Sequence, residues 1–189
     1  MLEFDIILEE GDIMKKLLIV VDYQRDFVDG ALGFEKAIKL ENIIVDKINM
    51  YKENGDDVIF TLDTHDENYI ETHEGQHLPI EHCLLGTKGH ELFGKVRALK
   101  DETTKSFIKH TFPSLDLAVY LKDKTYDSIE LCGVVSNICV LSNAIMVKSA
   151  VPNTPIIVDA LATASYNDVL HEKGLDIIEG LYIKVLNRK

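Results

Sequence analysis

Three hydrophobic segments of this chain each lead into a group that can do chemistry. Leu17-Leu18-Ile19-Val20-Val21 runs into Asp22, Ser106-Phe107-Ile108 into Lys109, and Leu131-Cys132-Gly133-Val134-Val135-Ser136-Asn137-Ile138 into Cys139. The last segment reads as a strand, a glycine turn and the start of a helix. A thiol in the first helical turn meets free backbone N–H groups and the positive end of the macrodipole, and both favour thiolate. Sulfur attack on a carbonyl also needs a base and a place for the oxyanion. Asp22, closing a buried strand, can be the base, because desolvation raises a carboxylate toward working pH. Lys109 can hold acid and sulfur together electrostatically, and N–H groups of the Val134–Cys139 turn can receive the oxyanion. Taken singly, a free cysteine is usually a small buried hydrophobe, Asp22 a cap and Lys109 a surface ammonium. Taken together, at three strand ends, they point to a nucleophilic active site. Cys132, inside a strand, and Cys83, in an irregular stretch, are assigned to packing.

Asp63-Thr64-His65, then Glu74, then His82 form a second constellation. Imidazole and carboxylate suit zinc first, and iron or manganese also fit, with water completing the shell. His73 and His77 compete for the later positions. Spacing alone leaves equal room for a solvated loop whose polar groups only cap turns.

These groups need a scaffold that brings strand ends together. Strands are predicted over Leu17–Asp22, Val58–Asp63, Ser106–Lys109, Ser128–Gly133, Pro155–Asp159 and Tyr182–Leu186. Helices are predicted over Ala37–Asn54, from about Pro113-Ser114, over Ser136–Ala150 and over Asn167–Glu179. The first helix draws its apolar residues from Ile38, Ile43, Ile44, Ile48 and Tyr51, and Asn54-Gly55 ends it. Thr64–Gly89 breaks the alternation. It is long, polar and rich in His and Glu, as functional loops are. Alternating β and α segments with short apolar strands predict a three-layer α/β/α fold around a mostly parallel, doubly wound sheet of about six strands. Ligands bind such sheets at the carboxyl ends of strands, where Asp22, Asp63, Lys109 and the Cys139 turn all fall.

Composition narrows the function classes. A net charge of −12 argues against nucleic acid and anionic membrane as partners. No apolar run is long enough to cross a bilayer, and no basic start precedes an apolar stretch as in a secretory signal. Three irregularly spaced cysteines fit a reducing compartment, so a cytoplasmic protein is expected. Hydrophobic content of 46% over 189 residues suits one α/β domain, expected over residues 14–189. Residues 1–13 read as an extension. Glu9-Glu10-Gly11-Asp12 can be encoded by a purine-rich run resembling a bacterial ribosome-binding site, so Met14 is the expected native start. The competing reading is an edge strand, since Leu2, Phe4, Ile6 and Leu8 alternate with period two.

Asp22-Tyr23-Gln24-Arg25-Asp26-Phe27, Asp63-Thr64-His65, Ser106-Phe107-Ile108-Lys109 and Cys132-Gly133-Val134-Val135-Ser136-Asn137-Ile138-Cys139-Val140 occur in this order. Together they resemble the isochorismatase-like cysteine hydrolases. The Asp-x-His with His82-Cys83 and Gly86-Thr87 downstream resembles the nicotinamidase/pyrazinamidase branch. The resemblance covers about Lys16 to Val185. It implies a catalytic triad of Asp22, Lys109 and Cys139, and a cis peptide between Val134 and Val135 that directs the Val135 and Cys139 N–H groups at the oxyanion. It implies a divalent metal held by Asp63, His65 and His82, with Glu74 in a fourth position, that binds a pyridine nitrogen. Phe27 matches an aromatic that stacks on the substrate ring, with Val134 beside it in the substrate site. The implied reaction is hydrolysis of nicotinamide to nicotinate and ammonia through a thioester, in NAD salvage.

The sequence also departs from the family pattern. The family often carries a second aromatic shortly before the metal histidine, where this chain has Leu78-Pro79-Ile80-Glu81 and no Trp anywhere. One aromatic wall leaves another small amide or carbamoyl compound as the alternative substrate. Ser136-Asn137 replaces a frequent Thr-Asp in a turn that works mainly through backbone groups. A catalytically dead binding domain is disfavoured by the three filled triad positions. Isochorismate vinyl-ether hydrolysis needs neither the metal set nor a nucleophilic sulfur. Homo-oligomers are common in such families, an expectation by analogy only.

Overall fold

The computed structural model of the chain describes residues 15–188, so the Met1–Ile13 extension and the Met14 start lie outside the described residues. Six strands form one sheet: β1 (Leu17–Val21), β2 (Asp57–Asp63), β3 (Ser106–Lys109), β4 (Ile129–Val134), β5 (Ile156–Ala164) and β6 (Lys184–Leu186). Their order is β3-β2-β1-β4-β5-β6, and every pairing is parallel. The predicted architecture is therefore observed.

Alternation along the strands builds two cores. Leu18 and Val20 of β1 face one apolar cluster with Ile44, Ile48 and Tyr51 of a helix, while Leu17, Ile19 and Val21 face another. Helices α1 (Arg25–Val28), α2 (Glu35–Lys39), α3 (Glu41–Glu53) and α5 (Gly94–Leu99) contribute to the first cluster. Helices α6 (Leu115–Leu121), α7 (Leu141–Ala150) and α8 (Asp168–Gly180) contribute to the second. A short helix, α4 (His73–His77), lies in the polar connection after β2.

Three predicted boundaries are corrected. The helix expected over Ala37–Asn54 is two helices, α2 and α3, joined at Leu40. Leu40 is buried and donates its N–H to the Ala37 carbonyl at 3.1 Å, a tightened turn that shifts the buried face. Ile38, counted on the apolar face, is consequently exposed. β5 runs five residues beyond Asp159, through an Ala-rich end without β-branched residues except Thr163, and its pairing with β4 shifts register between Leu131 and Gly133. The helix expected from Ser136 begins as a π turn over Ser136–Val140, closed by Val140 N–H donating to the Val135 carbonyl at 3.2 Å.

Strand order reverses between β1 and β4, which pair directly. The crevice outside their carboxyl ends is the topological switch point of the sheet. Val21 pairs with Thr61 on one side and Gly133 on the other, so β2, β1 and β4 end together there. Gly133, at φ +110°, is required at that junction: a Cβ would lie 2.1 Å from the Val21 carbonyl oxygen.

Candidate active site

Asp22, Lys109 and Cys139 meet at this switch point. Asp22 follows β1 in the left-handed region, at φ 45°, an unusual conformation that aspartate tolerates better than most residues. Its N–H donates to the Thr61 carbonyl at 3.2 Å, and Thr61 Oγ1 donates to Asp22 Oδ1 at 2.7 Å. Lys109 Nζ lies 2.7 Å from Asp22 Oδ2, 3.1 Å from the Thr111 carbonyl and 3.8 Å from Cys139 Sγ. The contact with Oδ2 is a close ion pair without hydrogen-bond alignment, so that oxygen is left without an aligned donor. All three residues are buried.

Burial decides the protonation states. Desolvation raises the Asp22 carboxyl above the ordinary range, against the pull of Lys109, and the neighbouring Asp63 charge adds to the rise. Cys139 is also raised well above an ordinary thiol: burial dominates, and Lys109 only partly offsets it and the two carboxylates. Burial thus opposes the thiolate that the helix terminus and Lys109 favour, which makes the nearby base necessary. Lys109 remains charged. Burial alone would lower it, but Asp22, Cys139 and Asp63 hold it well above its usual value.

Asp63, the last residue of β2, pairs in register with Lys109 of β3. Its Oδ1 accepts from Lys109 Nζ at 2.8 Å, while Oδ2 lies 2.8 Å from His65 Nε2 and 3.5 Å from His82 Nε2. Glu74 Oε1 stands 3.9 Å from both imidazole Nε2 atoms. One ligand atom each from Asp63, His65 and His82 fits within 4.8 Å of the others, and all three residues are buried. His82 Nδ1 donates to the Ile80 carbonyl at 2.8 Å, which turns Nε2 toward the cluster, where the neutral ring offers a lone pair to an ion. This donor set fits a borderline dication. Burial opposes ionisation of Asp63, yet bonds from His65 and His82 and the Lys109 charge hold it well below the usual range. Glu74 is raised by burial and by the Asp63 charge. For His82, burial is outweighed by the bond to Asp63, and the imidazole rises above its usual value.

Both groups border one cavity of about 340 Å³, whose lining includes Cys139, Val135, Asp63, Glu74 and His82. Phe27 also lines it. The peptide between Val134 and Val135 is cis. Val134 itself does not line the cavity: as the last residue of β4 its side chain is fully buried in the same apolar cluster as Val20, and Val135 takes that wall. The wall is also not singly aromatic. Phe112, after β3, and Tyr166, after β5, line the cavity with Phe27 from positions far apart in sequence.

Several neutral residues hold the site and carry no chemical signal of their own. Gln24 brackets the Asp63 backbone, accepting from its N–H at 2.8 Å and donating to its carbonyl at 2.9 Å. Tyr69 is fully buried against both His65 and His82, with ring centroids 4.6 and 4.9 Å apart, and donates to the Leu78 carbonyl at 2.9 Å. Asn143, one turn beyond the nucleophile, donates to the Cys139 carbonyl at 2.8 Å and accepts from Ser114 N–H at 3.0 Å. Its buried, bonded amide ties the nucleophile turn to the β3–α6 loop. Cys83 and Cys132 are fully buried, in keeping with packing.

The isochorismatase domain model matches residues 16–188. The chain belongs to the isochorismatase family. It is 33% identical to the isochorismatase family protein PncA of Bacillus subtilis (strain 168) over 173 residues, covering 86% of this chain and 93% of that protein. The crystal structure of nicotinamidase PncA from Bacillus subtilis superposes with a TM-score of 0.80 at 30% identity, over 91% of this chain and 99% of that one. The pyrazinamidase of Pyrococcus horikoshii in complex with zinc gives 0.80 at 25% identity, over 92% and 99%. Membership makes this isochorismatase-family chain a hydrolase, and among its described residues no helix is long and apolar enough to cross a membrane.

Proposed function

We propose that the chain is a metal-assisted cysteine amidohydrolase that converts nicotinamide to nicotinate and ammonia in cytoplasmic NAD salvage. One observation carries this reading: Cys139 and the Asp63–Glu74–His82 wall border the same cavity, bridged beneath by Lys109. A small ring with a heteroatom on one side and a carboxamide on the other can address both at once. The solved relatives named as nicotinamidase and as pyrazinamidase in complex with zinc support it.

Asp63, His65 and His82 would hold the dication, with Glu74 beside them and zinc as the first choice over iron or manganese. When bound, it supplies Lewis-acid attraction for a pyridine nitrogen. Phe27 stacks on the ring. Asp22, raised by burial, takes the Cys139 thiol proton as sulfur bonds to the amide carbon. Val135 and Cys139 N–H groups receive the developing oxyanion. Asp22 then gives that proton to the departing nitrogen, the C–N bond breaks, ammonia leaves and a thioester remains. In the second stage Asp22 takes a proton from water as its oxygen attacks the thioester, and returns it to the departing sulfur. The acid is released with the thiol restored. Lys109 stays charged throughout and stabilises Asp22 in each ionised state.

Acid quenching during turnover tests this directly. Mass spectrometry should find a nicotinoyl group on the Cys139 peptide, absent from Asp22→Asn. Turnover with no acyl group under single-turnover conditions would contradict the thioester. A second reading, another small amide or carbamoyl substrate, is favoured by the exposure of Phe112 and Tyr166, which leaves the rim open.

A further inference from the structure

A second cavity, of about 680 Å³, is lined by His65 and Glu74 and also by His73, His77 and His110. Four of the chain's seven histidines therefore border one space, although only His65 belongs to the buried cluster. His73 and His77 are exposed and stand four residues apart on α4, with ring centroids 4.5 Å apart and planes tilted by 40°. Residues i and i+4 share a helix face, the spacing at which two imidazoles can reach one ion.

Hydrogen bonds orient two of the rings on this cavity, those of His77 and His110. His77 Nδ1 donates to the His73 carbonyl at 2.8 Å, leaving Nε2 with its lone pair. His110 Nδ1 donates to the Thr64 carbonyl at 2.8 Å in the same manner. A ring tied through Nδ1–H to a backbone carbonyl is set for ligation through Nε2, as His82 is in the buried cluster. We propose that His73 and His77 form a second, outer site for a borderline divalent transition metal, completed by water, beside the cavity that leads to the inner cluster. Imidazole ligands select zinc, cobalt, nickel or copper over magnesium and calcium. With two protein ligands in contact with solvent, the ion is held more weakly than at the inner cluster and exchanges readily. The outer pair gives an incoming dication its first protein ligands, and His65 and Glu74 on the same cavity give it the next. That sequence rests on the metal reading proposed above.

Metal-free full-length protein titrated with Co²⁺, with binding followed by calorimetry and equilibrium dialysis, tests the outer site. Wild type should take two equivalents, the second at least about tenfold weaker. His73→Asn/His77→Asn should keep the tight equivalent and lose the weak one, and Mg²⁺ should fill neither. A single tight equivalent in wild type, or a weak equivalent that survives the double substitution, would overturn the proposal. His65→Ala/His82→Ala separates the two readings, because it should lose the tight equivalent and keep the weak one. Weak binding alone in wild type, abolished by the His73/His77 substitutions, would sustain the outer site and overturn the inner one.

Discussion

Lys109 Nζ donates to Asp63 Oδ1 at 2.8 Å, so the ammonium beside Cys139 is also bonded to the carboxylate that faces His65 and His82. Nucleophile and metal set share one buried charge. The bridge arises from register, because Asp63 and Lys109 are paired residues at the ends of neighbouring strands. Removing Lys109 exposes two carboxylates to each other without a counter-charge. Lys109→Met is expected to cost about 3–5 kcal/mol in stability through those uncompensated charges. It should also lower kcat by about 10³-fold. Denaturant unfolding and steady-state kinetics check the two effects, and an unchanged stability would contradict the buried bridge.

Asp22 acts as a base only when ionised, and burial raises its carboxyl. Activity should therefore fall as pH drops through a value above the ordinary aspartate range of about 3.9. The raised thiol at Cys139 requires that no thiolate absorbance be seen at neutral pH in the free protein. A pH–rate profile and ultraviolet thiolate titration measure these. A full thiolate at pH 7 would show that the helix terminus outweighs desolvation after all.

Gln24 tests whether a neutral side chain positions the metal set. Gln24→Leu strips partners from the Asp63 N–H and carbonyl and from the His90 carbonyl, which accepts from Gln24 Nε2 at 2.8 Å. Metal affinity is expected to fall about 10–100-fold. Alkylation of Cys139 should change much less, which separates positioning from general unfolding. Competition with a chromogenic chelator reads the affinity.

Far from the site, Lys47 bonds Glu130 at 2.6 Å and Asp159 at 2.7 Å. Burial opposes ionisation of Asp159, but the bonds from Lys47 and Asn187 prevail and its folded pKa lies below the ordinary value. Its stabilisation is present above the unfolded pKa of about 3.9 and is lost as pH falls through the lower, folded one. Asp159→Asn should thus cost about 2 kcal/mol at pH 7, with the difference from wild type shrinking below about pH 4. Thermal unfolding across pH measures it.

The charged members of the site were legible in the sequence because each ends an apolar strand or interrupts a polar loop. Asp22, Asp63, Lys109 and Cys139 are all found at the carboxyl side of the sheet, and Glu74 rather than the exposed His73 or His77 stands beside His65 and His82. Gln24, Tyr69 and Asn143 were not legible. Their work is bonding to backbone or packing on rings, and neither leaves a mark in spacing or charge. Phe112 and Tyr166 escaped for another reason: loops separated by over fifty residues bring them to one cavity. The upward push of burial on the Cys139 thiol, too, is something that local helix chemistry does not reveal.

Ammonia release from nicotinamide by purified protein, measured with and without chelator and alongside Cys139→Ala, tests most directly that sulfur and metal act on one substrate. The expected result is turnover that chelation abolishes, added zinc restores and Cys139→Ala lacks. Turnover that persists in the chelated protein or in Cys139→Ala would contradict the shared site. No turnover at all by zinc-loaded protein with an alkylatable Cys139 would contradict nicotinamide as the substrate.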